Sequence, residues 1–414
     1  MKKCGCDFIC IAGKNNIAVD VLSYVVKRYD CDRIGVVCNK TETGKNNFQR
    51  SLRWFAKKYK IREYQLDEIC KIENLIFFSL EFDQILIPEK FKDARLYNIH
   101  FSLLPKYKGV YTAAMPILNG EEETGVTLHR IDAGIDTGEI IAQRSFRIST
   151  MNCREVYLSC MKLGAKLMLE NIDSIICNKE NSNPQPVVGS TYFSRDSVDY
   201  SNTEIDVFQT AEVISRQVRA YHFREFQLPM FRGKRIIDYN FTDDRSRRKP
   251  GAILIDTEEA CRISTIDYDI ILQYDRAEEL MEYCRRGNVE GVKSICTSRK
   301  HINLCDDNGW TPLMAATCNN QVEIVKYLIL CGADIHAVNY NGTTLLMYAM
   351  EAGLRTGDWG LFRLYVQLGL DIHDRNYEEN GVVEVMKHMG TDDIPEDIRK
   401  IIWGEEMNWQ KGEI

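Results

Sequence analysis

The sequence contains no run of apolar residues long enough to cross a bilayer, so no membrane partner is expected. It has no excess of positive charge either: 53 Lys and Arg stand against 60 Asp and Glu, a net charge of −7. Extended nucleic-acid surfaces draw their affinity from clustered cations, so no nucleic-acid partner is expected, and the run Arg245-Ser246-Arg247-Arg248-Lys249 reads as a solvated loop. None of the 15 cysteines has zinc-finger spacing, and an odd, scattered set does not make a disulfide framework. Reduced, mostly buried thiols and no metal site are expected. The glycine triplet of dinucleotide-binding folds and the P-loop signature are missing. Met1-Lys2-Lys3 followed by apolar residues imitates an export signal, but Asp7 breaks the run and Gly13-Lys14-Asn15-Asn16 ends it. The chain is therefore read as cytoplasmic.

What is present is an alternation of strand-like and helix-like segments. Strands are expected at 7–13, 33–38, 75–79 and from 94 onward, with helices at 17–29 and 46–59, which predicts an α/β fold with an open, mostly parallel sheet. A chain of 414 residues suits two or three domains. The Gly13-Lys14-Asn15 turn leads into a helix, where unpaired N–H groups and Lys14 can face a phosphate. Gln84-Ile85-Leu86-Ile87-Pro88 reads either as a buried strand ending at proline or as a ligand-gripping segment.

Two stretches carry chemistry. In Asn98-Ile99-His100-Phe101-Ser102-Leu103-Leu104-Pro105, Asn98 and His100 lie two apart at a strand's end and share a face, and Ser102 to Pro105 follow as a loop. The pair then stands at a strand exit, where open parallel sheets bind ligands. In Gly134-Ile135-Asp136-Thr137-Gly138 a carboxylate sits between glycines that permit a tight turn. An imidazole to take a proton, an amide to donate to an oxyanion and a carboxylate beside the imidazole suit acyl transfer from an activated carbonyl to an amine.

These stretches, together with Lys106-Tyr107-Lys108-Gly109, Thr124-Gly125-Val126-Thr127 and Asp132-Ala133-Gly134-Ile135-Asp136-Thr137-Gly138, resemble the formyltransferase family over roughly residues 1–200. The resemblance implies a Rossmann-like sheet and 10-formyltetrahydrofolate as co-substrate. It also implies that Asn98, His100 and Asp136 form a catalytic triad, in which Asn98 holds the tetrahedral oxygen and His100 moves the proton. Leu86, Ile87, Pro88 and Asp132 are placed by it on the folate side. Gly13, Lys14, Asn15, Lys106, Tyr107, Tyr221 and Phe223 are placed at a nucleotide sugar.

Around 177–201 the composition shifts toward Asn, Ser, Pro and Gly, which marks an exit from the catalytic core. A helix at 206–221 and strands at 234–241 and 252–256 predict a small α+β subdomain with a β-hairpin. Tyr221, His222, Phe223, Arg224 and Phe226 gather aromatic and cationic groups that suit either a sugar pocket or a small core.

The last third repeats. Asn308-Gly309-Trp310-Thr311-Pro312-Leu313-Met314 returns as Asn341-Gly342-Thr343-Thr344-Leu345-Leu346-Met347, 33 positions on, the ankyrin period. Gly332-Ala333-Asp334-Ile335-His336 returns as Gly369-Leu370-Asp371-Ile372-His373 after 37, which implies a loop insertion near 353–360. The expected organisation is a catalytic domain at 1–182, a small subdomain at 183–272 and an all-α ankyrin solenoid at 276–414, whose segment 378–414 forms an irregular cap. Such repeats bind proteins by default, but Trp310 is expected exposed, where it can stack on a nucleotide at an accessory site.

Among the branches the resemblance offers, sugar N-formyltransferases fit best. The substrate placed first is a dTDP-3-amino-3,6-dideoxyhexose for O-antigen of lipopolysaccharide, and a homodimer is implied. A methionyl-tRNA or purine-pathway formyltransferase is the alternative, and an ankyrin interaction protein with an inactive catalytic domain is the third reading.

Overall fold

In the computed structural model, which describes residues 7–296, 301–306, 308–387 and 394–404, the chain divides into two units, Met1–Asp275 and Arg276–Ile414. The export-like Met1-Lys2-Lys3 and parts of the expected 378–414 cap lie outside the described residues.

The first unit begins β1 (Phe8–Gly13), α1 (Asn15–Val25), β2 (Ile34–Cys38), α2 (Leu52–Lys58), β3 (Arg62–Glu63), α3 (Leu66–Ile69), β4 (Leu75–Leu80) and β5 (Ala94–His100). It continues with β6 (Lys108–Gly109), α4 (Met115–Leu118), β7 (Glu123–Arg130), β8 (Ile140–Arg147), α5 (Cys153–Ile176) and β9 (Tyr192–Phe193). Seven strands form one sheet in the order β3-β2-β1-β4-β5-β7-β8; the first five run parallel, and β7 and β8 are antiparallel additions. β1 and β4 are near-continuous apolar runs because a parallel sheet covered by helices is dry on both faces. The strand order reverses between β2-β1 and β4-β5, so a crevice opens where the carboxyl ends of β1 and β4 diverge. Gly13 stands there opposite Leu80, and a Cβ on it would lie 1.8 Å from the Leu80 carbonyl oxygen, so only glycine lets the two strand ends approach.

α2 starts six residues later than the periodicity predicts, because side chains of Asn46 and Asn47 bond the amides of Ser51 and Gln49 and hold 46–51 in turns. Ser51 then caps the helix at the Trp54 amide. The same competition delays α6 (Ala211–Tyr221): Asp206 binds the Phe208 amide, and Thr210 caps the helix at Val213.

Where a helix and hairpin were expected, α6 packs on a five-stranded antiparallel sheet. Its strands are β10 (Met230–Phe231), β11 (Lys234–Phe241), β12 (Ile253–Asp256), β13 (Ala260–Ile263) and β14 (Ile270–Tyr274), in the order β10-β11-β14-β13-β12. β14 runs past residue 272, and the whole sheet belongs to the first unit.

Among its described residues the second unit has four helix pairs: α7 (Ala277–Arg286) with α8 (Val289–Ile295), α9 (Pro312–Cys318) with α10 (Val322–Leu330), α11 (Leu345–Thr356) with α12 (Gly360–Gln367), and α13 (Val382–Lys387) with α14 (Glu396–Trp403). One apolar cluster runs through all four pairs, as expected of stacked repeats that cannot bury their faces alone. The longer repeat interval is not a loop insertion: it lengthens α11 to 12 residues against 7 in α9, and Gly357, at φ 76°, ends it.

Candidate active site

Register brings the site together. Asn98 pairs with Ser79 of β4 on one side and with His129 of β7 on the other, while His100 closes β5 opposite Thr127. Beyond β5, the Ser102–Leu104 loop is pinned by Thr127, whose hydroxyl donates to the Ser102 carbonyl and accepts from the Leu104 amide; Ser102 in turn donates to the Lys106 carbonyl. The clamp delivers the Tyr107 carbonyl oxygen to 2.7 Å from His100 Nε2. A carbonyl only accepts, so Nε2 carries the proton and Nδ1 presents the lone pair.

Nδ1 faces Asp136, whose Oδ1 is 3.5 Å away, while Asp136 Oδ2 accepts the Gly109 amide at 2.9 Å. The turn that holds this carboxylate works differently from expectation. Asp136 itself is left-handed at φ 53°, whereas Gly134 and Gly138 are needed for space: a Cβ on Gly138 would meet the Arg130 carbonyl oxygen at 1.9 Å. Asp132 closes the turn by accepting from the Gly134 amide and the Thr137 hydroxyl.

Sequence reasoning missed His129. Its Nδ1 lies 2.7 Å from the Arg130 carbonyl oxygen, so Nδ1 carries the proton and Nε2 accepts from Asn98 Nδ2 at 3.1 Å. That contact uses one amide N–H of Asn98 and leaves the other for a further acceptor. Burial, then the adjacent His100, push the His129 imidazole down to about 4, against the pull of Asp136. A neutral ring is what the Asn98 contact requires, since an Nε2–H would oppose the amide donor.

An unfolded histidine titrates near 6.5. Between that pH and about 4 the unfolded chain therefore binds a proton that the folded ring refuses, so stability falls as pH drops through this window. The expected loss from this ring is on the order of 2–3 kcal/mol by pH 4. Urea unfolding followed from pH 7 to 4 should show a shallower decline in His129→Gln than in wild type; parallel curves would refute the assignment.

The other sequence-predicted residues separate into groups. Leu86 is buried in an apolar cluster against which the partly buried Ile131 packs, which ties the 84–88 segment to the Asp132 turn. That segment is no strand: Ile87 is exposed, Pro88 opens a short 3-10 turn, and the backbone groups of Ile85 and Leu86 make no ladder bonds among the described residues. Asn15, in a left-handed conformation, donates to the Tyr157 hydroxyl, and the Lys14 amide bonds the Leu80 carbonyl. The Tyr107 ring stacks on Phe193, its hydroxyl donates to Glu121, and Lys106 pairs with Glu121 as well. Tyr221 packs with Tyr107, Met115 and Val198, and Phe223 is buried between Tyr157, Phe48 and Phe226. Of this aromatic group Phe226 is the exposed member. In the second unit Trp310 is half-buried, not exposed, with its ring 4.6 Å from that of Tyr348.

An imidazole lone pair, an amide donor and a carboxylate at the carboxyl edge of a mostly parallel sheet define a group-transfer enzyme of the α/β class. The formyl transferase family model matches residues 58–172, which include all three groups, and an ankyrin-repeat model of three copies matches 280–359. Among solved structures, WlaRD, a sugar 3N-formyl transferase determined with dTDP and 5-N-formyl-THF, is 44% identical with a TM-score of 0.60; the match covers 65% of this chain and 97% of that one. An N-formyltransferase from Helicobacter canadensis, in complex with folinic acid and dTDP-3-aminofucose, is 41% identical with a TM-score of 0.61, over 65% of this chain and 100% of that one. Among curated relatives, methionyl-tRNA formyltransferases of Acidovorax ebreus and Ehrlichia ruminantium are 37% and 31% identical over 125 and 187 residues, 30% and 43% of this chain. The chain spans only 38% and 58% of their lengths. The chain belongs to the formyl transferase family.

Proposed function

We propose that the protein transfers the formyl group of 10-formyltetrahydrofolate to the amino group of a dTDP-linked amino-dideoxyhexose, with dTDP-3-amino-3,6-dideoxy-D-glucose placed first. The observation that carries this reading is the Asn98–His100–Asp136 arrangement in a chain that spans 97% of a sugar 3N-formyl transferase at 44% identity. In the proposed reaction the amine nitrogen attacks the formyl carbon, and the free N–H of Asn98 holds the tetrahedral oxygen. Nδ1 of His100 takes a proton from the nitrogen and returns it to folate N10 as the C–N bond breaks. The carboxylate of Asp136 faces the imidazolium while it exists. The 85–87 segment, in which Ile85 and Ile87 are exposed around a buried Leu86, and the Asp132 turn form the folate side, and the Gly13-Lys14-Asn15 turn with the aromatic group around Phe223 forms the nucleotide-sugar side.

The product would serve lipopolysaccharide O-antigen in the cytoplasm, and the protein would act as a homodimer. No helix among the described residues is long and apolar enough to cross a membrane. In this reading the ankyrin unit holds a second ligand or a protein, with Trp310 at an accessory nucleotide site.

The test mixes protein, 10-formyltetrahydrofolate and a panel of dTDP-3-amino and dTDP-4-amino sugars, with methionyl-tRNA as control, and follows tetrahydrofolate release and product mass. Turnover of one sugar supports the reading; formylation of the tRNA, or of nothing, overturns it. In the same assay Trp310→Ala should weaken nucleotide binding or alter kinetics, and unchanged behaviour would remove the accessory site.

A further inference from the structure

The triad leaves one charge unaccounted for. An amino sugar arrives as R–NH3+ at neutral pH, and forming the amide costs that nitrogen two protons. His100 carries one of them from nitrogen to folate N10. The other must leave beforehand, so that its bonding pair becomes the lone pair that attacks. The triad holds no second group for it, since Asp136 is engaged with the Gly109 amide and faces both His100 and His129.

One carboxylate stands next to this chemistry unused. Glu81 follows the last residue of β4, two positions beyond the Ser79–Asn98 pair, as His100 is two beyond it on β5. It is held in a left-handed backbone conformation at φ 60°, with its carbonyl tied to the Asn39 side chain. That conformation turns the chain off the sheet at the switch-point crevice. Its Oε2 accepts the Tyr157 hydroxyl at 2.7 Å, and Tyr157 in turn accepts Asn15 Nδ2 at 2.7 Å. The three residues come from the end of β4, where Glu81 follows Leu80, from α5 and from the start of α1, and Phe101 and Phe223 flank the Tyr157 ring. At the rim of the sheet this strained, half-buried carboxylate spends Oε2 on Tyr157 and retains acceptor capacity for a ligand.

We propose that Glu81 receives the sugar's ammonium group and takes its first proton: one N–H bond breaks, its pair stays on nitrogen, and the proton moves to the Glu81 carboxylate. This rests on the sugar N-formyltransferase reading. The titratable groups around Glu81 are Lys14 on the turn after β1, His100 on β5, and Tyr157 and Cys160 on α5. Burial raises the Glu81 carboxyl above its ordinary value in spite of Tyr157, Lys14, His100 and Asn15, which suits it to accept a proton. Burial also keeps the Tyr157 hydroxyl protonated, so it remains a donor.

The experiment compares binding of the turned-over dTDP-amino sugar with that of its analogue bearing hydroxyl in place of the amine, by calorimetry on wild type and Glu81→Gln. The expected result is a loss of about ten- to a hundredfold for the amino sugar, the range of a hydrogen bond to a charged group, with the hydroxyl analogue changed less than about threefold. In kinetics, kcat/KM of Glu81→Gln should recover as pH rises toward the free amine, more steeply than wild type. Equal losses for both ligands, or no loss for either, would mean that Glu81 only balances Lys14 or supports the fold, and the proposal would be wrong. If Glu81→Gln does not fold, the same comparison on Glu81→Asp decides, since a retracted carboxylate must also discriminate between the ligands. A wild-type enzyme that formylates no amino sugar instead sinks the underlying reading, and the two failures are thereby distinct.

Discussion

His100→Ala is expected to lower turnover about a hundred- to ten-thousandfold, the contribution of a positioned proton-transfer group, while dTDP binding measured by calorimetry stays within about twofold of wild type. The separation follows from where the ring sits. It closes β5, is only 7% exposed, and spends Nε2–H on the Tyr107 carbonyl, so the ring's lone pair is on Nδ1, on the side that faces Asp136. Nothing in that arrangement touches the Gly13-Lys14-Asn15 turn proposed for the nucleotide. Single-turnover measurements with prebound 10-formyltetrahydrofolate should place the whole loss on the chemical step. A loss confined to KM would instead make His100 a binding residue and leave the proton without a carrier.

How far the residues announced this site depends on the distance over which each contact acts. Asn98 and His100 were legible because their relation is local: two positions on a strand share a face whatever the rest of the chain does. Asp136 was legible through its glycine-flanked turn and the family resemblance, although the glycines serve not turn freedom but space, Gly134 beside Thr137 and Gly138 beside Arg130. His129 and Glu81 were not visible, because what matters about them is contact between elements far apart in sequence: strand pairing of β7 with β5 for His129, and side-chain bonds linking the end of β4 with α5 and α1 for Glu81. No period in a sequence encodes register between strands separated by a loop. The same limit explains the small sheet. β11 stands out as an eight-residue strand, but β13 and β14 are four and five residues long and acquire their identity by pairing, β14 against β11 and β13 against β14. Helix starts failed for the opposite reason: at 46–51 and 206–210, Asn, Asp, Ser and Thr side chains bind nearby amides and override a correct apolar period.

Asn98→Ala should cost about a hundred- to a thousandfold in kcat, the effect of deleting one oxyanion donor, with KM for the amino sugar nearly unchanged. The more searching measurement couples it to His129. The neutral Nε2 of His129 holds one N–H of the Asn98 amide, which fixes the direction of the other. His129→Phe removes that acceptor, keeps an aromatic ring in the β7 position, and leaves Asn98 free to rotate its donor away from the tetrahedral oxygen. On its own it should lower kcat by roughly tenfold, the consequence of losing one orienting hydrogen bond. In the Asn98→Ala background the same substitution should cost almost nothing, because there is no longer an amide to orient; residues that act as a unit are not additive. If the two losses multiply instead, His129 contributes by a route that does not pass through Asn98, such as the electrostatic balance with Asp136, whose Oδ1 lies 3.7 Å from the same Nε2. That outcome would show up separately as a shift in the pH profile of Asp136→Asn, which still accepts the Gly109 amide but no longer offers a charge to either histidine.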